Sequence, residues 1–372
     1  MHPIRIEHVV LSLRPGGLEN GVINVINRID RGRFHSSVCC LQEAGEFASR
    51  IEAPGVKVHT MQLAGGIDLS VVRRLARHFR TTQPDIVHTR NAESFFYGCV
   101  AANLARVPRL VHSEHGRTFS DRRIRLVAQR WLSRFADSIF AVSEQLRDDL
   151  VSRVGIPPSR IDVLYNGVDL TRFTASASSA AVREELGIGP GDIIVGSVGR
   201  LAAVKNYGML LRAVAATSLP NLHLVLVGDG PERAQLTSLA DELGIASRVR
   251  MTGHRDDVSR LLGAFDIFVL PSLSEGMSNT LLEAMAQGVA PVVSDVGGNT
   301  EIVRHGVTGQ VFESRNEAML VAQLRHLCAD HEERGRLGDA ARTRVRESFG
   351  LERMIERYEE LYARMAHGVR AC

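Results

Sequence analysis

The sequence predicts an α/β fold with two Rossmann-like, doubly wound domains that face each other across a cleft. Three observations lead to this class. At 372 residues the chain is long for one core, short strand-like runs alternate with helical patterns, and the alternation restarts after a small, polar segment. Sheets of this kind bind ligands beyond the carboxyl ends of their strands, so we expect the site residues in the loops that follow strands.

Short apolar runs predict the strands of the N-terminal domain, residues 1–173. Their alternation with helical patterns indicates a parallel sheet covered by helices. The predicted strands are Ile4 to Leu11, Ser37 to Leu41, Val56 to Met61, Ile86 to Thr89, Leu110 to Ser113, Ile139 to Val142 and Ile161 to Leu164.

The same pattern repeats in a C-terminal domain of residues 184–348, after a predicted hinge at residues 174–183. Residues 349–366 follow as a predicted helix with one apolar face. The predicted strands of this half are Ile193 to Val198, Leu222 to Val227, Val249 to Thr252, Ile267 to Leu270, Ala290 to Ser294 and Gln310 to Phe312.

The composition limits the class of protein. Hydrophobic residues make up 44% and charged residues 23%, and a net charge of +3 gives no reason to expect a nucleic-acid partner. No apolar run approaches the ~20 residues that span a bilayer, and the N-terminus lacks a signal-peptide pattern, so we expect a cytoplasmic protein. The five cysteines show no CxxC spacing and no His/Glu cluster has metal-ligand spacing, so no metal site is expected.

Two cations follow the predicted strand that ends at Val198. Gly199 allows close backbone approach, Arg200 offers a bidentate guanidinium and Lys205 a point charge, beside a helical pattern that begins near Tyr207. This combination suits a phosphate or diphosphate, and a pair of solvated surface cations is the alternative. No Asp-x-Asp pair occurs, so cations and helix N-termini would neutralise a diphosphate in place of Mg²⁺.

Glycines follow the first predicted strand as well. Gly16 and Gly17 open a helical pattern and would expose backbone N–H groups toward the cleft, although a tight turn is the plainer interpretation.

The segment "SEGMSNTLLEAMAQG", residues 274–288, contains two carboxylates eight positions apart. Glu275 is predicted to lie in a loop and Glu283 in the helix that follows. The plainer interpretation of Glu283 is a capping box, in which its carboxylate accepts from the backbone N–H of Thr280 and lies in the first turn. That interpretation leaves Glu275 unexplained.

Two further segments place polar side chains after strands of the first half. His115 follows one strand, and His88, Arg90 and Asn91 lie at the end of another, where they are candidates to contact an acceptor. A purely structural role is the alternative for a histidine in such a place.

Residues 122–135 alternate arginines with apolar residues at helical spacing, and Trp131 is the only tryptophan of the chain. A helix of this kind can rest on an anionic membrane surface. The alternative, which we favour on frequency, is a helix whose apolar face belongs to the core.

Together these features resemble the retaining glycosyltransferases of family 4, which have the GT-B fold, over nearly the whole chain. The resemblance implies that Glu275 lies against the hydroxyls of the donor sugar and that Glu283 holds the nucleotide ribose. It also implies that Arg200 and Lys205 bind the donor diphosphate. The other implied donor contacts are Gly16 and Gly17 from the N-terminal domain and Gly276, Met277, Ser278, Asn279 and Thr280 between the two glutamates.

The resemblance further implies that His115 lies near the sugar, that His115 and Glu275 are the catalytic positions, and that the C-terminal helix crosses back to the N-terminal domain. The strings "GGLENG", "DIVHTRN" and "SEHGR" are similar to the sugar transferases of PEP-CTERM/exosortase exopolysaccharide clusters.

The sequence therefore predicts a hexosyltransferase that moves a sugar, with retention, from a UDP or GDP sugar to a hydroxyl of a glycan or lipid-linked acceptor. It is expected to use neither cofactor nor metal, and to act in exopolysaccharide or other cell-surface glycan assembly at the inner face of the membrane. The alternatives are a sugar epimerase or phosphorylase on the same scaffold, or a non-catalytic nucleotide-sugar sensor.

Overall fold

The computed structural model of the protein describes residues 2–116, 123–173 and 179–368. Arg117, residue 122 of the predicted basic helix and residues 174–178 of the predicted hinge lie outside this part. The chain divides into two compact units, residues 1–166 with 351–372 and residues 167–350. The expected hinge and domain boundaries stay predictions.

The first unit has, among its described residues, a seven-stranded parallel sheet in the order β3-β2-β1-β4-β5-β6-β7. Its strands are β1 (Ile4–Val10), β2 (Phe34–Cys40), β3 (Val58–Thr60), β4 (Ile86–Arg90), β5 (Arg109–Glu114), β6 (Ser138–Ala141) and β7 (Ile161–Val163). Its helices are α1 (Gly17–Arg28), α2 (Leu69–Thr82), α3 (Asn91–Ala105), α4 (Arg123–Leu132) and α5 (Glu144–Asp149), together with the C-terminal helix.

The second unit has, within its described part, a six-stranded parallel sheet in the order β10-β9-β8-β11-β12-β13. Its strands are β8 (Ile193–Val198), β9 (Leu222–Val227), β10 (Val249–Gly253), β11 (Ile267–Leu270), β12 (Ala290–Ser294) and β13 (Gln310–Phe312). Its helices are α6 (Ser179–Leu186), α7 (Tyr207–Thr217), α8 (Arg233–Glu242), α9 (Val258–Leu262), α10 (Asn279–Gln287), α11 (Asn299–Ile302), α12 (Glu317–Ala329) and α13 (His331–Ser348).

Both units are Rossmann-like, and the predicted strands are all confirmed. Most core strands are buried on both faces of their sheet, so the sequence of each is a nearly unbroken apolar run. Caps fix several helix starts: the side chains of Ser143, Ser278 and Asp330 each accept a hydrogen bond from a backbone N–H two or three residues into the helix.

The C-terminal helix α14 (Leu351–Ala366) completes the core of the first unit. Its buried side chains, among them Met354, Tyr358 and Tyr362, pack with Ile6 of β1 and Phe140 of β6. The strongly amphipathic pattern of this segment in the sequence therefore has its partner in the N-terminal unit.

The strand order reverses between β1 and β4 in the first unit and between β8 and β11 in the second. At such a switch point the loops leaving the two strands diverge and open a crevice at the carboxyl ends, which is where open α/β sheets bind ligands. The candidate residues follow β1, β4 and β5 in one unit and β8 and β11 in the other, except that His88 and Arg90, which were expected after a strand, lie within β4 itself.

Helix α4 corrects the expectation that the apolar face of segment 122–135 belongs to the core. Ile124, Val127, Trp131 and Phe135 are 76%, 66%, 55% and 42% exposed, and only Leu132 of the apolar set is buried in the interior. The helix instead contributes Gln129, whose amide donates to buried Glu114 at 2.9 Å. Throughout the described residues, no helix combines the length and apolar character needed to cross a membrane.

Candidate active site

The loop after β8 is shaped by glycines. A Cβ added to Gly228 would lie 2.1 Å from the carbonyl oxygen of Gly199, so the two backbones touch where β8 ends. The chain then forms a 3₁₀ turn, Ala203–Lys205, and Asn206 adopts the left-handed conformation (φ 54°) before α7 begins. This path brings Lys205 back toward the end of β11.

Lys205 and Glu275 form an ion pair at the switch point of the second unit. Lys205 Nζ lies 2.6 Å from Glu275 Oε1, and their side chains are only 18% and 11% exposed. Burial alone would lower the pKa of Lys205, but the Glu275 carboxylate outweighs it and the pKa lies above its ordinary value. Lys205 is therefore a fixed positive charge, held in one place by its partner.

The second bond to Glu275 comes from Ser272, a residue that the sequence pattern did not single out. Ser272 Oγ donates to the same Oε1 atom at 2.6 Å, and its backbone oxygen accepts from Ser294 Oγ at 2.7 Å. No described residue bonds Oε2 of Glu275, so that oxygen is available to a ligand. The Ser-x-x-Glu spacing was the signal in the sequence, although such a spacing is common.

A second missed feature is the glycine pair that supports the Glu275 loop. Gly297 has φ +53°, and a Cβ there would lie 1.9 Å from the carbonyl oxygen of Glu275. The backbone N–H of Gly298 donates to the carbonyl of Gly276 at 2.8 Å. This loop therefore sets the position of the Glu275 backbone, and only glycine fits at 297.

Helix α10 corrects the capping-box interpretation. Ser278, not Thr280, is the N-cap residue, and its Oγ accepts from the backbone N–H of Leu281 at 3.3 Å. Glu283 is consequently the fifth residue of α10, two residues beyond the third position, from which a capping box closes. Burial raises the pKa of Glu283 to about 7, and the charge of Arg172 opposes this rise. Burial of the Glu283 carboxyl group disfavours its ionised form, and a capping box does not explain why a glutamate lies at this position.

The remaining donor candidates lie around this pair. Arg200 is exposed, and no described residue pairs with it. Met277 is buried, and Thr280 Oγ1 lies 3.2 Å from Ser278 Oγ. Asn279 is the first residue of α10, so Gly276 to Thr280 form the loop and N-terminus that follow Glu275.

In the first unit, Gly16 is the N-cap residue of α1, and Gly17 begins the helix. A Cβ on Gly16 would lie 2.2 Å from a carboxylate oxygen of Glu19, so this side chain folds back over the helix start. Burial raises the pKa of Glu19. The predicted Gly-Gly turn thus opens α1 after β1.

A buried chain of hydrogen bonds connects His115 to the C-terminal helix. His115 Nε2 lies 2.9 Å from Ser113 Oγ, which lies 3.0 Å from His88 Nε2, and His88 Nδ1 lies 2.7 Å from the hydroxyl of Tyr362. The other nitrogen of His115, Nδ1, has no hydrogen-bond partner among the described residues. These hydrogen bonds thus fix Nε2 of the His115 imidazole and leave Nδ1 for a ligand.

Burial and the charge of Arg90 together set the charge state of this cluster. It is 2% exposed, its Nη1 donates to His8 Nδ1 at 2.9 Å, and no described carboxylate pairs with it. Burial first, and then the charge of Arg90, holds the pKa of His8, His88 and His115 well below the usual range. These imidazoles are therefore neutral at ordinary pH.

The acceptor candidates thus have internal contacts. His88 and Arg90 are buried, and Asn91, in the left-handed conformation (φ 63°), accepts from the backbone N–H of His115 at 2.8 Å. Asn91 directly, and His88 through Ser113, hold His115 in place, and the charge of Arg90 lowers the pKa of His115, roles that the sequence did not reveal. Their contact with an acceptor stays a prediction.

Solved structures share this architecture. The Anabaena protein HepE in complex with UDP-glucose superposes with a TM-score of 0.87 at 24% identity, over 97% of this chain and 99% of that one. WaaG, a glycosyltransferase involved in lipopolysaccharide biosynthesis, gives a TM-score of 0.77 at 19% identity, over 96% and 99% of the two chains. At these identities the likeness concerns the GT-B fold.

Relatives of known or assigned activity are also similar in sequence. The Escherichia coli UDP-Gal:α-D-GlcNAc-diphosphoundecaprenol α-1,3-galactosyltransferase is 25% identical over 97% of both chains. The D-inositol 3-phosphate glycosyltransferase of Mycobacterium sp. (strain JLS) is 36% identical over 62% of this chain, but the match spans only 56% of that relative.

Two family descriptions match successive parts of the chain. Residues 15–172 match Glycosyltransferase Family 4, and residues 178–344 match Glycosyl transferases group 1. The two matches fall on the two Rossmann-like units and leave only short segments unmatched. The chain therefore belongs to the family 4/group 1 glycosyltransferases of the GT-B fold.

Proposed function

We propose that the protein transfers a sugar from a UDP-sugar to a hydroxyl of a glycan or lipid-linked acceptor, with retention of configuration and without a metal ion. One observation carries this proposal: the Lys205–Glu275 pair at the switch point, in which Lys205 is a fixed cation and no described residue bonds the second carboxylate oxygen of Glu275. The UDP-glucose complex of HepE and the UDP-Gal donor and diphosphoundecaprenol acceptor named for the E. coli relative support the substrate class.

Lys205 and Arg200 would act on the leaving group. When the bond between the anomeric carbon and the diphosphate oxygen breaks, negative charge develops on UDP, and fixed cations stabilise this charge more in the transition state than in the ground state. The backbone N–H groups at the start of α10 add a positive dipole end. These groups supply the neutralisation that Mg²⁺ supplies in other transferases, which is why we propose metal-independent transfer.

Glu275 would orient the sugar. Its Oε1 is bound to Lys205 and Ser272, so Oε2 is the atom that can accept from a sugar hydroxyl. The acceptor oxygen then attacks the face that the diphosphate leaves, and a diphosphate oxygen takes the acceptor proton. In this scheme Glu275 is neither base nor nucleophile.

His115 would donate to the sugar or the diphosphate through Nδ1–H. Burial raises the pKa of the Tyr362 hydroxyl, which therefore keeps its proton to donate to His88 Nδ1. His88 then donates through Nε2–H to Ser113, and Ser113 donates to His115 Nε2, which leaves the proton of neutral His115 on Nδ1. The hydrogen bonds from Tyr362 to His115 would in this way set the Nδ1–H tautomer of His115.

Helix α4 would bring the protein to an anionic membrane surface, where lipid-linked acceptors reside. Its exposed apolar residues Ile124, Val127 and Trp131 are interleaved with arginines, the combination that binds anionic lipid. We accordingly propose a cytoplasmic protein at the inner face of the membrane, in exopolysaccharide or other cell-surface glycan assembly.

The test begins with donor binding and ends with the product. Thermal shift with UDP-, GDP- and ADP-sugars should select a UDP-sugar, because a ligand that binds only the folded state stabilises it. Transfer in EDTA should then give a product whose anomeric configuration, read by NMR, equals that of the donor. Lys205→Met and Glu275→Gln should each weaken donor binding by about 10- to 100-fold, the loss of one charge-assisted hydrogen bond.

Arg212→Met is the matched control, since Arg212 forms an exposed ion pair with Glu317 in the same unit at 2.7 Å. The proposal fails if Lys205→Met binds the donor as well as this control does, or if the product is inverted. Donor binding without transfer or hydrolysis for any acceptor preparation would favour a nucleotide-sugar sensor.

A further inference from the structure

Metal-binding side chains meet at the β3 edge of the first sheet. In the parallel register, Val9 of β1 lies opposite Cys39 of β2, and Cys39 lies opposite His59 of β3. Because side chains alternate along each strand, Glu7, Cys39 and His59 share one face of the sheet. His78 of α2 reaches the same place.

The distances within this cluster are short. The ligand atoms of Glu7, Cys39 and His78 all lie within 4.8 Å of one another. His78 Nε2 is 3.2 Å from Glu7 Oε2, and the ring centroids of His59 and His78 are 4.5 Å apart. Glu7 and Cys39 are fully buried, whereas the His78 side chain is 11% exposed, so the cluster has a narrow approach from solvent.

One atom of the cluster has no hydrogen-bond partner. Glu7 Oε2 accepts from Ser37 Oγ at 2.8 Å, but the buried Oε1 has none within the described part of the chain. Leaving a buried carboxylate oxygen without a hydrogen bond is costly, and native proteins rarely do so. A cation at this position would satisfy it.

We propose that Glu7, Cys39 and His78 bind a zinc ion, with His59 as the fourth ligand. Thiolate, imidazole and carboxylate together are a zinc ligand set, whereas Mg²⁺ and Ca²⁺ select oxygen alone. Bonds of about 2.0–2.3 Å require ligand atoms roughly 3.3–3.8 Å apart, so the ligand atoms of Glu7, Cys39 and His78, which lie within 4.8 Å of one another, need to approach by about 1 Å. His59 lies outside this 4.8 Å group, so its ring has to turn toward the other three ligands. Binding releases the Cys39 thiol proton to solvent.

The site would be structural. It ties the short edge strand β3 and helix α2 to the central strand β1, and none of its four ligands belongs to the donor site or to the His115 chain. It therefore does not bear on whether transfer itself needs a metal.

The experiment measures zinc in the full-length protein, purified without chelator, and then after stripping and refilling. We expect about one zinc per chain in the wild type and less than a tenth of this in Cys39→Ser and His78→Gln. Both variants should bind zinc more than about 100-fold more weakly, because loss of a residue that only bonds a metal ligand already lowers metal affinity by about 10- to 100-fold. Cys40→Ser is the matched control, because Cys40 is equally buried but lies on the opposite face of β2.

Cobalt substitution tests the ligands in the unmodified chain. Wild-type protein with Co²⁺ should show the ligand-field bands of a tetrahedral site and a thiolate-to-cobalt charge-transfer band, so the test stands even if a variant fails to fold. If metal-stripped wild-type protein binds no added zinc, the proposal is overturned, and the contact between Glu7 and His78 is a hydrogen-bonded pair without a metal ion. Zinc binding that Cys39→Ser does not alter, or a cobalt spectrum without the thiolate band, also overturns it.

Discussion

The carboxyl group of Glu283 should lower the stability of the second unit at alkaline pH. Its pKa is about 7 in the folded protein against 4.5 for an ordinary glutamate, so the folded state holds its proton more tightly than the unfolded state. The stability lost as pH rises from below 4.5 to above 7 is therefore about 3 kcal/mol, at 1.36 kcal/mol per pKa unit. Glu283→Gln cannot ionise, so it should escape this loss.

The variant should be about as stable as the wild type at pH 4 and more stable by about 3 kcal/mol at pH 8. Urea unfolding at a series of pH values measures this difference. Far-UV circular dichroism reports helices of both units, whereas the fluorescence of the single tryptophan, Trp131, follows the first unit only. The difference should appear in the dichroism and be absent from the fluorescence.

Donor affinity should change in the opposite direction. An ionised carboxylate has two oxygens and can accept from both ribose hydroxyls, whereas the amide of glutamine has only one acceptor oxygen. Glu283→Gln should therefore bind the UDP-sugar about tenfold or more weakly than the wild type at pH 8. The exposed Glu242→Gln is the control and should change neither property. If Glu283→Gln gains no stability between pH 4 and pH 8, our account of its buried carboxyl is wrong, and unchanged affinity would refute the ribose assignment.

Three further variants test other parts of the site and surface. Ser113→Ala interrupts the bonds between His88 and His115, so kcat should fall about tenfold, as expected for about 1–2 kcal/mol, with little change in KM. Gly297→Ala places a Cβ against the Glu275 carbonyl at φ +53°, which should cost about 1–3 kcal/mol in urea unfolding and weaken donor binding in calorimetry. Trp131→Ala should reduce sedimentation with anionic vesicles by tenfold or more, because burying such a side chain contributes about 1.5–3 kcal/mol.

Each of these variants has a control in the same chain. Tyr97→Phe also removes a hydroxyl, which accepts from the partly buried backbone N–H of Asp68 at 3.0 Å but lies away from the His115 hydrogen bonds, and it should retain kcat. Gly55 has φ +80° but open space at its Cβ, so Gly55→Ala should lose stability without losing donor affinity. Leu104→Ala removes an apolar side chain that is 54% exposed on α3 and should leave vesicle binding unchanged. Equal effects in variant and control would contradict the assignment concerned.

The strands could be read from the sequence because burial on both faces leaves a nearly unbroken apolar run, and the carboxyl ends of these runs identified Lys205, Glu275 and His115. The start of α10 could not be fixed in this way. Ser and Thr are both residue types that cap helices, and only the backbone conformation shows that Ser278, and not Thr280, is the N-cap residue.

Contacts between distant strands were beyond the sequence for a different reason. Glu7, Cys39, His59 and His78 come together only through strand register, and Ser113 joins His88 to His115 only because β4 and β5 are neighbours. The exposure of α4 was also mispredicted, since an amphipathic pattern gives the direction of the apolar face but not what covers it.

The position of α14 has a consequence for biosynthesis. The first unit lacks part of its core, and the Tyr362 hydroxyl, until α14 has been translated. The intervening residues 167–350 take on the order of 10–40 s to synthesise at about 5–20 residues per second. During that time the apolar surface that α14 covers lacks this partner on the nascent chain, so the hydrogen bonds that reach His115 through His88 are completed only after α14 has been made.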